Sequence, residues 1–166
     1  MRAGSGTDLL IAGTGADRVE GEAGRDSVYA GHGNDYVGGG SSNDILLGQA
    51  GDDRLTGGAN DDRLWGGAGA DRVFGRDGSD YLAAGAQSIV DGGHGSDRIY
   101  LHDEGGDAPH LVDASGYEVR GGDGDDVVDA RDGRRSDVDC GEGTDRLLAD
   151  PGDRATRCES RGERPR

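Results

Sequence analysis

The sequence contains no lysine, since all 18 of its basic residues are arginine. It has one tryptophan, one phenylalanine, one methionine, two cysteines and three prolines, and aromatic residues make up only 4% of it. Nowhere does it reach the ~20 consecutive apolar residues of a membrane-spanning helix, so no membrane span is expected. Hydrophobic residues, at 31%, are too few for a conventional core. Acids outnumber bases 34 to 18, for a formal charge of −16. That balance argues against a nucleic-acid partner, because phosphate binding needs gathered cations. Met1-Arg2-Ala3 runs straight into glycine-rich sequence with no visible secretory signal. A cytosolic protein, a truncated start and export without an N-terminal signal all accommodate this. Such a composition ordinarily marks a disordered acidic chain, unless the sequence is periodic.

What the chain does have is glycine, 35 of 166 residues, and the glycine is placed regularly. Asp8, Asp17, Asp26, Asp35, Asp44, Asp53, Asp62, Asp71 and Asp80 follow one another at a spacing of nine. Two residues after each comes an aliphatic side chain: Leu10, Val19, Val28, Val37, Leu46, Leu55, Leu64, Val73 and Leu82. Two residues before each comes glycine, except at Ser42 and Asn60, where the departure is expected to disturb the local carbonyls. The unit is clearest in Gly66-Gly67-Ala68-Gly69-Ala70-Asp71-Arg72-Val73-Phe74, which fits the G-G-x-G-x-D-x-U-x nonapeptide of a calcium-binding parallel β-helix. A flexible Gly/Asp linker has no reason to hold Leu and Val at a single phase.

The register slips after Leu82. Gly92-Gly93-His94-Gly95-Ser96-Asp97-Arg98-Ile99 is a full unit, but its Asp97 falls one position short of two whole periods beyond Asp80. One coil, around Ser88 and Val90, is therefore short and lacks its aspartate. Residues 101–118, with Pro109, break the pattern. Gly121 to Val128, with Asp126, restores it, and Cys140 to Leu147 is a last degenerate unit. The division expected is a regular calcium-binding roll over 1–100, an irregular continuation over 101–148 and a C-terminal tail over 149–166.

In each unit six residues make a turn and three a short strand, whose aliphatic residue points inward and its neighbours outward. One apolar side chain in nine cannot offset the entropy of ordering so flexible a polymer. Stacked turns supply the missing attraction: carboxylates and turn carbonyls of coils two units apart make oxygen-only surroundings, which suit a hard cation, calcium above all. Without a cation those carboxylates would repel one another.

Over about residues 3–100, and more weakly to about 148, the sequence resembles the repeats-in-toxin (hemolysin-type) calcium-binding nonapeptide repeat family. The resemblance implies an all-β parallel β-roll with an ion between turns i and i+2. It pairs Asp8 with Asp26, Asp17 with Asp35, Asp26 with Asp44, Asp35 with Asp53, Asp44 with Asp62, Asp53 with Asp71 and Asp62 with Asp80. Asp80 with Asp97 follows across the slip, for about seven or eight ions in all. Asp126 matches the motif but has no evident partner turn. The implied function is calcium binding by an extracellular, calcium-dependent structural or interaction module without catalytic activity. The alternative is the noncatalytic repeat portion of a larger secreted enzyme, such as a protease or lipase, or of a toxin.

Alternate units should feed opposite sheets. Leu9, Ile11, Tyr29, Ile45, Leu47, Trp65 and Tyr81 would then share one outer face, interrupted by Ser27, Arg63 and Ala83. Arg18, Glu20, Tyr36, Arg54, Thr56, Arg72 and Phe74 would share the other. The Tyr29, Leu47 and Trp65 stripe offers a surface for self-association or domain docking, against the plainer reading of packing along strands. Cys140 and Cys158 are the only cysteines. A disulfide clasping the tail is expected in an extracellular protein, with free thiols the alternative. His32 and His94 sit at variable turn positions, and His102-Asp103 has no serine or cysteine elbow beside it.

Overall fold

The computed structural model describes residues 1–85, 87–101 and 117–163. His102-Asp103, Pro109 and His110 lie outside the described residues. In chain order the strands are β1 (Arg2–Ser5), β2 (Leu9–Thr14), β3 (Arg18–Ala23), β4 (Ser27–His32), β5 (Tyr36–Ser41) and β6 (Ile45–Ala50). There follow β7 (Arg54–Ala59), β8 (Arg63–Ala68), β9 (Arg72–Asp77), β10 (Tyr81–Ala84), β11 (Ile89–His94) and β12 (Arg98–Leu101). The last six are β13 (Glu118–Asp123), β14 (Val127–Ala130), β15 (Asp137–Glu142), β16 (Arg146–Ala149), β17 (Arg154–Thr156) and β18 (Ser160–Glu163).

Odd strands build one nine-stranded sheet and even strands the other, each strand pairing with the one two places away. All pairings are parallel, as in Leu46 beside Leu64 or Val37 beside Leu55. The result is a parallel β-roll of about eight turns, with no helix among the described residues. The tail expected over 149–166 extends the roll through β17 and β18.

The alternation within each strand dictates this packing. Val19, Val28, Val37, Leu46, Leu55, Leu64, Val73 and Leu82 are wholly shielded from solvent, while their neighbours face outward. Aliphatic residues from the two sheets thus form one narrow core. That core also holds the register where the nine-residue period fails. Ile99 sits beside Val128 across the long break in the pattern, and Val119 sits beside Val138 although their spacing is no multiple of the period. The sheets stay in step because the buried side chains must meet.

Ser42 and Asn60 keep the positive φ of the glycine position. They take φ values of 82° and 77°, in the left-handed region that the glycines at the same repeat position adopt, such as Gly33 at 126°. Short polar side chains tolerate that region better than most.

Candidate metal centre

Between a glycine turn and the next strand, each repeat aspartate leans toward the coil before it. Asp26 Oδ1 accepts the backbone N–H of Asp8 at 2.9 Å, and Asp44 Oδ1 accepts that of Asp26 at 2.8 Å. The contact recurs in ten Asp–Asp pairs, each 2.7 to 3.0 Å long. Eight are the pairs expected from the sequence, including Asp80 with Asp97. The other two correct the expectation that Asp126 has no partner turn. Asp126 Oδ1 accepts from Asp97 at 2.8 Å, and Asp126 donates to Asp145 Oδ1 at 3.0 Å. Spacing hid the first contact because an irregular stretch of chain intervenes, yet the core brings the two turns together.

The second carboxylate oxygen behaves differently. Oδ2 is buried and without a hydrogen-bond partner in Asp8, Asp17, Asp26, Asp35, Asp44, Asp53, Asp62, Asp71, Asp80, Asp97 and Asp126. All eleven residues that the sequence singles out have this feature, and Asp132, outside the repeat pattern, has it as well. An isolated buried carboxylate oxygen is costly unless a proton or a cation meets it. In eight of these units the space beside it is bordered by a glycine, and in the Asp8, Asp17 and Asp35 units the same position is Ala3, Ala12 and Ala30. A Cβ built on Gly21 would meet Asp26 Oδ2 at 2.6 Å and the Gly39 carbonyl at 2.5 Å. One built on Gly39 would meet Asp44 Oδ2 and the Gly57 carbonyl, the latter at 2.7 Å. The carboxylate of one turn and the carbonyl of the next therefore converge on a small cradle that a single methyl would fill. Among the described residues no three His, Cys, Asp or Glu side chains gather at one point. An ion held here must draw on backbone carbonyls, which is the donor set of a hard cation.

The two flanks of the roll differ. One carries Asp8, Asp26, Asp44, Asp62, Asp80, Asp97, Asp126 and Asp145 in unbroken succession. On the other, Asp17, Asp35, Asp53 and Asp71 are followed by Ser88, whose hydroxyl accepts the Asp71 N–H at 3.0 Å, and further along by Ser136. Metal-type turns therefore run the whole length of one flank and stop midway along the other. Asp145 had a sequence signal in Gly141-Glu142-Gly143-Thr144-Asp145, whereas Glu159, which accepts the Asp145 N–H at 2.6 Å, had none.

Burial pushes the carboxylates of Asp44, Asp53, Asp62, Asp71, Asp80, Asp97 and Asp126 above the usual range near 4. Asp62 and Asp97 are pushed up to about 8 and Asp53 to about 7, and Asp44, Asp80 and Asp126 to about 6. The stacked carboxylates add to the effect, as Asp80 and Asp44 do on Asp62, against the pull of the donated N–H. A carboxylate with a raised folded pKa contributes stability below its unfolded value and withdraws it as pH rises through the folded value. For the metal-stripped chain the window lies between about 4 and about 8. We expect that chain, in metal-free buffer, to gain strand signal in circular dichroism on acidification from about pH 8 to about pH 5. A signal that stays flat or falls would contradict the burial of these groups.

On the outer faces the parity expected from the sequence holds. Trp65 and Tyr81 rings lie 5.5 Å apart, and Tyr81 stacks on Tyr100 at 5.0 Å. Tyr29, Ile45, Leu47, Gln49, Trp65 and Ala83 line a surface hollow of about 530 Å³ on that face. On the opposite face the Arg18 guanidinium lies 4.4 Å from the Tyr36 ring centre and that of Arg54 lies 4.3 Å from Phe74. His32 is exposed, and His94 is exposed and pairs with Asp123 at 2.7 Å. Cys140 and Cys158 form a disulfide.

Compared with known protein families, residues 2–37, 38–73, 56–88 and 118–135 match the RTX calcium-binding nonapeptide repeat. No curated protein and no solved structure matches the chain.

Proposed function

The chain belongs to the RTX calcium-binding nonapeptide repeat family, and from that premise we propose that it is an extracellular module whose shape is assembled by calcium along its turns. The observation that carries this reading is the row of eleven buried Oδ2 atoms without partners, eight of them beside a glycine, as where Asp44 faces the Gly57 carbonyl. Asp8, Asp17, Asp26, Asp35, Asp44, Asp53, Asp62, Asp71, Asp80, Asp97 and Asp126 would hold the ions with those carbonyls. Calcium supplies positive charge and several ligand positions at each cradle. The chain's own part is to orient one carboxylate oxygen into the cradle while the other fixes the preceding coil. Each interior aspartate thus ties two coils together, so uptake should be steep rather than gradual. Modules of this kind outside cells work at about 10⁻⁴ to 10⁻³ M calcium, which suits a chain that is a polyanion until it meets such concentrations.

Ten stacked pairs give an expected stoichiometry of about ten ions, above the seven or eight that the family resemblance implies. Calorimetric calcium titration of the purified chain measures it. Uptake of only one or two ions, or weak binding spread over many decades, would contradict the proposal.

A second observation favours a contact role. Leu9 and Ile11 are 66% and 64% exposed on the apolar face, next to Tyr29 and the Trp65 hollow, and contiguous apolar surface of this sort marks association sites. The proposal is self-association or docking through the Tyr29, Leu47 and Trp65 stripe. In calcium, Trp65→Glu should leave the dichroism intact and lower the sedimentation coefficient. Identical sedimentation of the folded variant and its parent would remove the case.

A further inference from the structure

The geometry points to a terminal cation site, at Asp126 and the Cys140 carbonyl, whose integrity depends on the Cys140–Cys158 disulfide. This inference rests on calcium binding by the repeats. The family match ends at residue 135, but the column of stacked turns does not. Asp126 is 1% exposed and its Oδ2 has no hydrogen-bond partner. In the cradle beside it, a Cβ built on Gly121 would meet Asp126 Oδ2 at 2.5 Å and also the backbone carbonyl of Cys140. Where other cradles along this flank are closed by the carbonyl of a glycine, such as Gly39, Gly57 or Gly75, this one is closed by the carbonyl of a disulfide-bonded cysteine.

That cysteine is fixed from both sides. Its side chain is wholly buried, and it is bonded to Cys158 on the next coil, with the Cα atoms 5.1 Å apart. Cys158 immediately precedes Glu159, which ends the column by accepting the Asp145 N–H at 2.6 Å, while Asp145 Oδ1 accepts the Asp126 N–H. The final coil, running from Leu147 to its strand partner Arg161, is shorter than the regular coils, and its Pro151-Gly152-Asp153 turn replaces their G-x-G-x-D turn. Its ties to the preceding coil include the β15–β17 and β16–β18 pairings, Asp153 Oδ1 accepting the Ser136 N–H at 2.8 Å, and the Arg157 guanidinium on the Asp139 carboxylate. In a stack of repeats each coil is stabilised only by its neighbours, so the end coil is the weakest. A covalent link there holds the Cys140 carbonyl where the cradle needs it. Reduction undoes this: the S–S bond takes two electrons and two protons from a dithiol, which becomes a cyclic disulfide, and two separate thiols remain.

The experiment is a calorimetric calcium titration of the full chain in three forms: oxidised, reduced with excess dithiol, and Cys140→Ala/Cys158→Ala. Fluorescence of the single tryptophan, Trp65, follows the regular coils in parallel. Reduction and the double substitution should each remove at least one ion per chain, with the Trp65 calcium midpoint moving less than about twofold. Asp126→Asn in the oxidised chain should remove the same ion, so that reducing this variant removes no further ion. Equal stoichiometry in oxidised and reduced chains overturns the inference, and so does a further ion lost on reducing Asp126→Asn. Loss of all calcium uptake on reduction overturns it too, because the disulfide would then support the whole roll. If even the oxidised chain takes up no calcium, the broader reading fails, and this one with it.

Discussion

Stripped of calcium at neutral pH, the chain should lose its strand signal altogether, and millimolar calcium should restore it in one steep transition. The expected size of this effect follows from the repeat. Only one side chain in nine enters the core, and glycine at 35 of 166 positions makes the unfolded chain unusually free. Against that stand eleven carboxylate oxygens, buried without partners, on coils that would otherwise repel. A ligand at a hundred times its dissociation constant contributes about 2.7 kcal/mol per site. Over ten stacked pairs that exceeds the ~5–15 kcal/mol by which domains are ordinarily stable. On these figures the metal contribution exceeds the ordinary stability of a domain, so the roll should not persist once the metal is removed. Far-ultraviolet dichroism and amide exchange, each with and without chelator, measure the outcome. Equal protection of the β5 to β9 amides in both conditions would end the case for calcium-driven folding.

Gly57→Ala should raise the roll's calcium requirement through one added methyl group. Gly57 does not have a positive φ, so alanine brings no backbone strain. Its Cβ would instead enter the cradle, against Asp62 Oδ2 and within 2.9 Å of the Gly75 carbonyl. Both neighbours are fixed, the carboxylate through its bond to the Asp44 N–H at 2.7 Å and the carbonyl as backbone. Losing one ion in the middle of the column should cost about 3 kcal/mol or more and raise the calcium midpoint. Gly152→Ala is the matched control, since a Cβ there meets nothing within 4 Å. It should stay within about 0.5 kcal/mol of the parent. A calcium titration followed by dichroism compares the two, and equal midpoints would show that the cradle holds no ion.

Much of this architecture is legible in the sequence because the period is both chemical and geometric. Each nonapeptide carries the chain from one sheet to the other, so the aspartate, glycine and aliphatic phases fix the turns, the core and the sorting of Tyr29, Leu47 and Trp65 from Tyr36 and Phe74. Spacing stops being informative where contacts are set by the core. Asp126 stacks on Asp97 because Val128 must meet Ile99, whatever lies between them in the chain. Glu159 is invisible for the same reason, standing immediately after a disulfide that closes a shortened coil. The Cys140 carbonyl could not be read at all, since a backbone atom leaves no residue-type signal. Ser42 and Asn60 depart from the glycine pattern yet keep a positive φ at that position.

The ten stacked carboxylate pairs also bear on how the molecule travels in an electric field. Its formal charge is −16, so about eight divalent ions neutralise it and ten carry it to about +4. A polymer that migrates to the anode in chelator would halt and then turn round as its columns fill, with its arginines left as the dominant surface charge. Colloidal repulsion between copies would vanish near the reversal point, so solubility should be poorest just short of saturation and recover beyond it.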